Sequence, residues 1–264
     1  MASKDTNAKP ASTRTSTSKE VDKDMNTLIQ HHPLHHHTSP SRSISFLIHS
    51  LGLSSFSYSF HYLTAHPNHI NQAYGWHFQY LTIIGLALAT ATFILGLLAD
   101  LTLSRRIFAA KNIVSMCSAP MEVLITVLYW GLRMIDPELV VPKELELPFS
   151  ADASFHLAPS VFLLLDLLLL SPPWTISILP AIGLSTVIAL LYWYWIEMCY
   201  AVNGFYPYPL FALLDTSQRV ILFGGSALLM AANTAVLKWV HGKVNGRLGR
   251  RGGMGGGERP GRVS

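Results

Sequence analysis

The sequence predicts an all-α, polytopic membrane protein, a six-transmembrane helix bundle between two disordered tails. Half of the 264 residues are hydrophobic, only 13% are charged, and the mean hydropathy is positive at +0.33. A bilayer span needs about 20 mostly apolar residues. Six stretches meet this requirement: residues 44–63, 80–99, 113–132, 152–171, 175–196 and 218–240. We therefore expect one membrane domain over residues 44–241.

The segments outside this domain are polar and low in complexity. Residues 1–43 contain no apolar segment of the kind that a cleavable signal peptide requires, so the first span is expected to be retained. We predict a disordered His-rich tail over residues 1–43 and a disordered Gly/Arg-rich tail over residues 242–264. The tract HHPLHHH at residues 31–37 has no cysteine or carboxylate to complete a defined site, and we assign no metal to it.

The distribution of basic residues predicts that both termini are cytoplasmic. In that orientation the cytoplasmic segments contain every Lys and Arg except Arg133, Lys143 and Arg219, and such residues concentrate on the cytoplasmic side. The pI near 9.1 then reflects this bias and attraction to anionic lipids. We expect membrane lipids as partners and no nucleic acid, and an endoplasmic reticulum or other endomembrane location; the oligomeric state stays open.

Two polar side chains fall at similar predicted depths below the non-cytoplasmic surface. The second span is expected to enter near Trp76 and the fourth near Ser150, which places Thr82 and His156 one to two helical turns inside. Taken alone, the threonine would bond back to the carbonyl of Phe78, and the histidine would be an interface or packing residue. Together they form a candidate nucleophile and general base, because a hydroxyl attacks an ester only when its proton is accepted.

Two acids accompany this pair in the fourth predicted span. Asp152 precedes His156 by four residues, so it either orients the imidazole from the same helix face or is only a charge at the helix start. Asp166 interrupts the run LLLDLLLL, where an acid costs about 3 kcal/mol at the centre of a membrane helix. Ten residues place it about 15 Å from His156, so we predict a structural contact to another span, with Asn233 or Glu122 as partner.

Six stretches of residues 74–240 together form a pattern: YGWHFQYLT (74–82), LADL (98–101), VLYWGLRMIDPELVVP (127–142), SFHLAPSVFLLLD (154–166), YPYPLF (206–211) and RVILFGGSALLM (219–230). In their order and spacing they resemble the androgen-induced and androgen-dependent TFPI-regulating membrane proteins. These relatives are six-span enzymes that hydrolyse fatty acid esters of hydroxy fatty acids. The resemblance implies that Thr82 and His156 are the catalytic pair, and Asp166 matches an acidic position ten residues after the family histidine.

We accordingly expect an integral membrane hydrolase that takes a lipid ester from the bilayer and requires no cofactor. Thr82 would attack the ester carbonyl, and His156, within hydrogen-bond reach of it, would accept and return the proton. A transporter or channel whose polar residues line a path across the bilayer is one alternative, although no internal repeat is evident. A non-catalytic regulatory or scaffold membrane protein is another.

Overall fold

The computed structural model describes residues 37–252, with side chains up to residue 245. Within this range all regular structure is helical, which confirms the predicted all-α class. Four short 3₁₀ turns connect the α-helices in this part of the chain. The α-helices are α1 (Ile44–Ala65), α2 (Leu81–Thr102), α3 (Arg105–Ile135), α4 (Phe149–His156), α5 (Ala158–Leu170), α6 (Ile178–Asn203), α7 (Pro209–Leu213) and α8 (Thr216–Gly252).

The long helices run alternately up and down, so their connections gather at two ends of the bundle. The loop end holds residues 66–80, 136–148 and 204–215, and there the backbone N–H of Tyr74 donates to Asn203 Oδ1 at 2.8 Å. The tail end holds residues 37–43, 103–104 and 171–177. Helix α1 begins and α8 ends at the tail end, so both tails leave the bundle on one side.

The structure supports a multi-pass membrane protein but does not confirm six spans. Helices α2, α3, α6 and α8 are each long and apolar enough to cross a membrane, and α4 with α5 forms a fifth candidate as one bent pair. Helix α1 has 22 residues, which is long enough, but its serines and histidines lower its hydropathy. Several of these polar side chains, Ser45, His49 and Ser59, are fully buried inside the bundle.

The predicted span over residues 152–171 is broken rather than continuous. Helix α4 ends at His156, Leu157 leaves helical geometry with φ −130° and ψ −47°, and α5 begins at Ala158. The two axes differ by 42°. Pro159 in the first turn of α5 has no backbone N–H, so it cannot continue the hydrogen-bond ladder across the break.

Glycines on adjoining helices allow α1 and α2 to pack closely. A Cβ at Gly96 would lie 2.4 Å from His49 Nε2, and one at Gly52 would lie 2.3 Å from Phe93 Cε1. Both distances are too short for any larger residue without a shift of the neighbouring ring. Small residues at such crossings are typical of membrane helix pairs.

Both predicted tail boundaries differ from the structure. The backbone N–H of Ser41 donates to Asp100 Oδ1 at 2.9 Å, so residues 37–43 belong to the packed bundle. Helix α8 continues beyond residue 241 to Gly252, so the start of the predicted C-terminal tail is helical. Residues 1–36 and 253–264, with most of the histidine tract, lie outside the described residues, and their disorder stays a prediction.

Candidate active site

Thr82 lies at the loop end, where it is the second residue of α2. Before this helix Gly75 (φ 85°) and Trp76 (φ 47°) have left-handed backbone angles, and Tyr80 is extended, so the helix cannot reach back to Trp76. Thr82 therefore lies in the first turn of α2, and its predicted depth below the membrane surface stays a prediction. The Thr82 side chain is nevertheless buried, with 5% of its residue surface exposed.

His156 is buried at the break between α4 and α5. The break leaves its carbonyl oxygen to accept a hydrogen bond from Thr126 Oγ1 at 2.7 Å. Its ring Nδ1 lies 2.8 Å from Asp152 Oδ1, which is the contact that their spacing of four residues in the sequence predicts. With Nδ1 facing the carboxylate, the proton-accepting nitrogen is Nε2.

Two residues of α3 complete the surroundings of this histidine. The Tyr129 ring stacks on the imidazole with centroids 3.4 Å apart and planes within 1°, and its hydroxyl donates to Asp152 Oδ1 at 2.5 Å. Arg133 Nη1 lies 3.5 Å from Asp152 Oδ2. The imidazole is thus fixed by a carboxylate at its edge and a ring on its face.

Two cavities meet at Thr82. The first, which we call the apolar cavity, lies between α2, α3, α6 and α8 and measures about 1000 Å³ including its part open to the exterior. None of its lining residues is charged. The second, the histidine cavity, measures about 610 Å³ on the same basis and is lined by His156 and by residues of the loop end. Thr82, Tyr129, Val140 and Tyr208 line both cavities.

The polar lining of the histidine cavity is largely uncharged near neutral pH. Burial lowers the pKa of His77, in the turn before α2, to about 4, so its imidazole is neutral. Its Nε2 pairs with Asn71 Oδ1 at 3.2 Å. A neutral, partly apolar cavity of this kind suits the polar centre and apolar chains of a lipid ester better than it suits an ion.

Thr82 and His156 both line the histidine cavity, but no direct hydrogen bond joins their side chains in the described structure. Thr82 Oγ1 lies 3.4 Å from the hydroxyl of Tyr208. The bond to the Phe78 carbonyl that an isolated threonine would make is not formed among the described residues. Because catalytic hydrogen bonds are often long without substrate and shorten when it binds, direct contact between the pair stays a prediction.

Asp166 belongs to a separate, fully buried charge cluster. Its Oδ1 lies 2.5 Å from Lys111 Nζ and 3.1 Å from His49 Nε2. The other ring nitrogen of His49 lies 2.6 Å from Asp100 Oδ2. The cluster therefore joins α1, α2, α3 and α5, and the paired charges stabilise an otherwise apolar interior.

The partners that we predicted for Asp166 are wrong. Asn233 donates instead to the carbonyl of Pro120 at 3.4 Å, and the buried Glu122 carboxyl has no hydrogen-bond partner among the described residues. The true partner, Lys111, was counted as a loop charge because the third span was expected to begin at residue 113. Helix α3 begins earlier, at Arg105, which carries Lys111 into the bundle.

The described residues contain no group of three or more His, Cys, Asp or Glu arranged to hold a metal ion. Sequence reasoning missed Tyr129, Arg133 and Tyr208. Tyr129 and Arg133 both lie in the stretch VLYWGLRMIDPELVVP (127–142) that carries the family resemblance. Their spacing of four residues indicates that they share one face of a helix.

Comparisons with known proteins agree on one family. The family model described as FAR-17a/AIG1-like protein matches residues 44–242. A UPF0641 membrane protein of Schizosaccharomyces pombe is 34% identical over 206 residues, which cover 77% of this chain and 92% of that relative. No solved structure matches the chain.

Proposed function

The chain belongs to the FAR-17a/AIG1-like family of membrane proteins, and on this premise we propose that it is an intramembrane lipid-ester hydrolase. In this proposal Thr82 is the nucleophile, His156 the general base, and Asp152 the residue that orients the base. The resemblance to hydrolases of fatty acid esters of hydroxy fatty acids supplies the proposed substrate class.

The observation that carries the proposal is the position of Thr82 where the apolar and histidine cavities meet. A lipid ester has two apolar parts joined at one carbonyl group. A carbonyl placed at Thr82 would have one chain in the apolar cavity and the other part in the histidine cavity, beside His156. The uncharged lining of the apolar cavity can therefore receive a long chain from the bilayer without exposing it to a charged group.

The proposed reaction gives each of these side chains one role. His156 Nε2 accepts the proton as Thr82 Oγ1 bonds to the carbonyl carbon, and the carbonyl electrons move onto oxygen. Collapse of this intermediate breaks the bond to the alcohol oxygen, which takes the proton from His156. Water then attacks the acyl-threonine carbonyl as the same imidazole accepts its proton. The bond between the acyl carbon and Thr82 Oγ1 breaks, the imidazolium returns the proton to Oγ1, and the fatty acid is released.

Asp152 supports both proton transfers by holding the ring through Nδ1 at 2.8 Å. Its negative charge stabilises the imidazolium that forms in each step. Tyr129 and Arg133 hold the carboxylate in turn, which limits the orientations that the imidazole can adopt.

Covalent labelling with a long-chain fluorophosphonate tests the nucleophile. Wild type should be labelled on the peptide that contains Thr82, and Thr82→Ala should lose the label. Thr90→Ala is the matched control, because the Thr90 hydroxyl, on the same helix, bonds only back to the Leu86 carbonyl at 2.7 Å and lines neither cavity. Equal labelling of wild type and Thr82→Ala would mean that another residue reacts with the probe and that Thr82 is not the nucleophile. No labelling of wild type would favour a transporter or a non-catalytic protein instead.

A further inference from the structure

We propose that Tyr208 is a further catalytic residue, whose hydroxyl donates a hydrogen bond to the oxyanion formed when Thr82 attacks the ester. This inference rests on the proposed function. Acyl transfer requires a donor for the negative charge that develops on the carbonyl oxygen. The sequence alone suggested no such donor.

The position of the Tyr208 hydroxyl fits this role. It lies 3.4 Å from Thr82 Oγ1, and both residues line both cavities. A reacting group bonded to the nucleophile must sit about 3 Å from the oxyanion donor. A carbonyl carbon attached to Thr82 Oγ1 therefore brings its oxygen within hydrogen-bond range of the phenol.

The ring that carries this hydroxyl is held firmly by its neighbours. Tyr80 packs edge-on against it with centroids 5.4 Å apart, and Phe211 packs edge-on from another side at 5.7 Å. Pro207 and Pro209 flank it in the sequence and restrict the backbone on either side. A donor fixed in this way needs little reorganisation when charge develops, which is the condition for strong stabilisation.

The electrostatic setting favours a neutral donor and a negative acceptor. Burial raises the pKa of Tyr208, which lies in the loop before α7, so its phenol remains protonated at neutral pH. The acceptor would form beside the first turn of α2, where the helix dipole is positive and favours negative charge. The protonated phenol and the positive end of the α2 dipole would therefore both stabilise a negative charge formed beside Thr82.

A second tyrosine near this helix start is already committed to the fold. The Tyr192 hydroxyl accepts from the backbone N–H of Leu81 at 3.2 Å and donates to the Gln79 carbonyl at 3.0 Å. These two bonds tie α6 to the start of α2. The Tyr208 hydroxyl also interacts with that of Tyr192, but it lies 3.4 Å from the Thr82 hydroxyl, to which Tyr192 makes no hydrogen bond in the described structure. Tyr208 is therefore the tyrosine whose hydroxyl is positioned for the reaction.

The test compares Tyr208→Phe with wild type by steady-state hydrolysis of a long-chain lipid ester in nanodiscs. The change removes one hydroxyl and keeps the ring, so the packing around it is retained. Loss of an oxyanion donor lowers kcat by about 100- to 1000-fold. We expect that loss in kcat with little change in KM. If the hydroxyl had only a structural role, its removal would lower the amount of folded protein but would not lower kcat while leaving KM unchanged.

Tyr206→Phe is the matched control, because it removes a tyrosine hydroxyl from the same loop. That hydroxyl pairs with Glu197 and Arg219, at 3.0 and 2.6 Å, and Tyr206 lines neither cavity. Its kcat should match wild type. The fluorophosphonate labelling rate, measured per folded molecule, gives a second readout if Tyr208→Phe is obtained in low yield, and it should fall with kcat.

The outcomes separate this inference from the proposed function. If Tyr208→Phe retains wild-type kcat, or changes KM alone, Tyr208 is not the oxyanion donor, while hydrolysis by Thr82 stands. If Thr82→Ala hydrolyses the ester at the wild-type rate, or if wild type is inactive, the proposed function fails and this inference fails with it.

Discussion

Replacing Asp152 with asparagine should slow hydrolysis strongly while leaving the protein folded. Asp152 Oδ1 accepts from His156 Nδ1 at 2.8 Å and from Tyr129 at 2.5 Å, and an asparagine oxygen can keep both bonds. The change removes the negative charge that stabilises the imidazolium. A hydrogen bond to a charged group contributes about 1.5–3 kcal/mol. At 1.36 kcal/mol per factor of ten, kcat should fall by about 10- to 150-fold.

The assay is the rate of fatty acid release from a lipid ester by purified protein in nanodiscs. Glu146→Gln is the control: it makes the same chemical change in a carboxylate that pairs with Arg133 at 3.2 Å and does not touch His156. Its kcat should match wild type. Wild-type kcat in folded Asp152→Asn, or an equal loss in Glu146→Gln, would refute the reasoning.

Three further predictions concern the topology and the packing of the bundle. Glycosylation sites engineered into residues 136–148 should be used and sites in the tails ignored; modification of either tail would reverse the predicted orientation. Asp166→Leu should lower the free energy of unfolding by about 3–5 kcal/mol, because it leaves the buried Lys111 without an acceptor at this position. Asp166→Asn should lower it less, because the amide oxygen can still accept hydrogen bonds from Lys111 and His49; equal melting temperatures would contradict this. Gly96→Ala should lower the free energy of unfolding by about 1–3 kcal/mol, because the added methyl group overpacks the contact with His49. Gly131→Ala, whose new Cβ would have nothing within 4 Å, should not lower the melting temperature, and an unchanged melting temperature of Gly96→Ala would contradict the close contact between α1 and α2.

The sequence predicted those parts of the fold that depend on local properties. Hydropathy is such a property, and the cores of α2, α6 and α8 lie within the predicted spans. The contact between Asp152 and His156 was predictable for the same reason, because a spacing of four residues defines one helix face. The helix break after His156 was not predicted, although Pro159 is a local sequence signal for it.

The remaining features depend on tertiary packing. Tyr129 and Tyr208 reach the candidate site from α3 and from the loop before α7, and no short-range pattern relates them to Thr82. The position of Lys111 was wrongly predicted because a charge near a span end is usually exposed. Here the carboxylate of Asp166, on α5, compensates for its burial. Helix α1 does not reach the hydropathy of the other long helices, because it contains buried polar residues whose contacts hydropathy does not register.

The central claim is that Thr82 and His156 act as a unit on a lipid ester. The measurement that tests it most directly is ester hydrolysis by purified, folded wild type beside Thr82→Ala, His156→Ala and the double variant. We predict that each single change removes nearly all activity, that the double change costs little more, and that Thr82→Ser keeps part of the rate. Hydrolysis by folded Thr82→Ala at the wild-type rate would contradict the account.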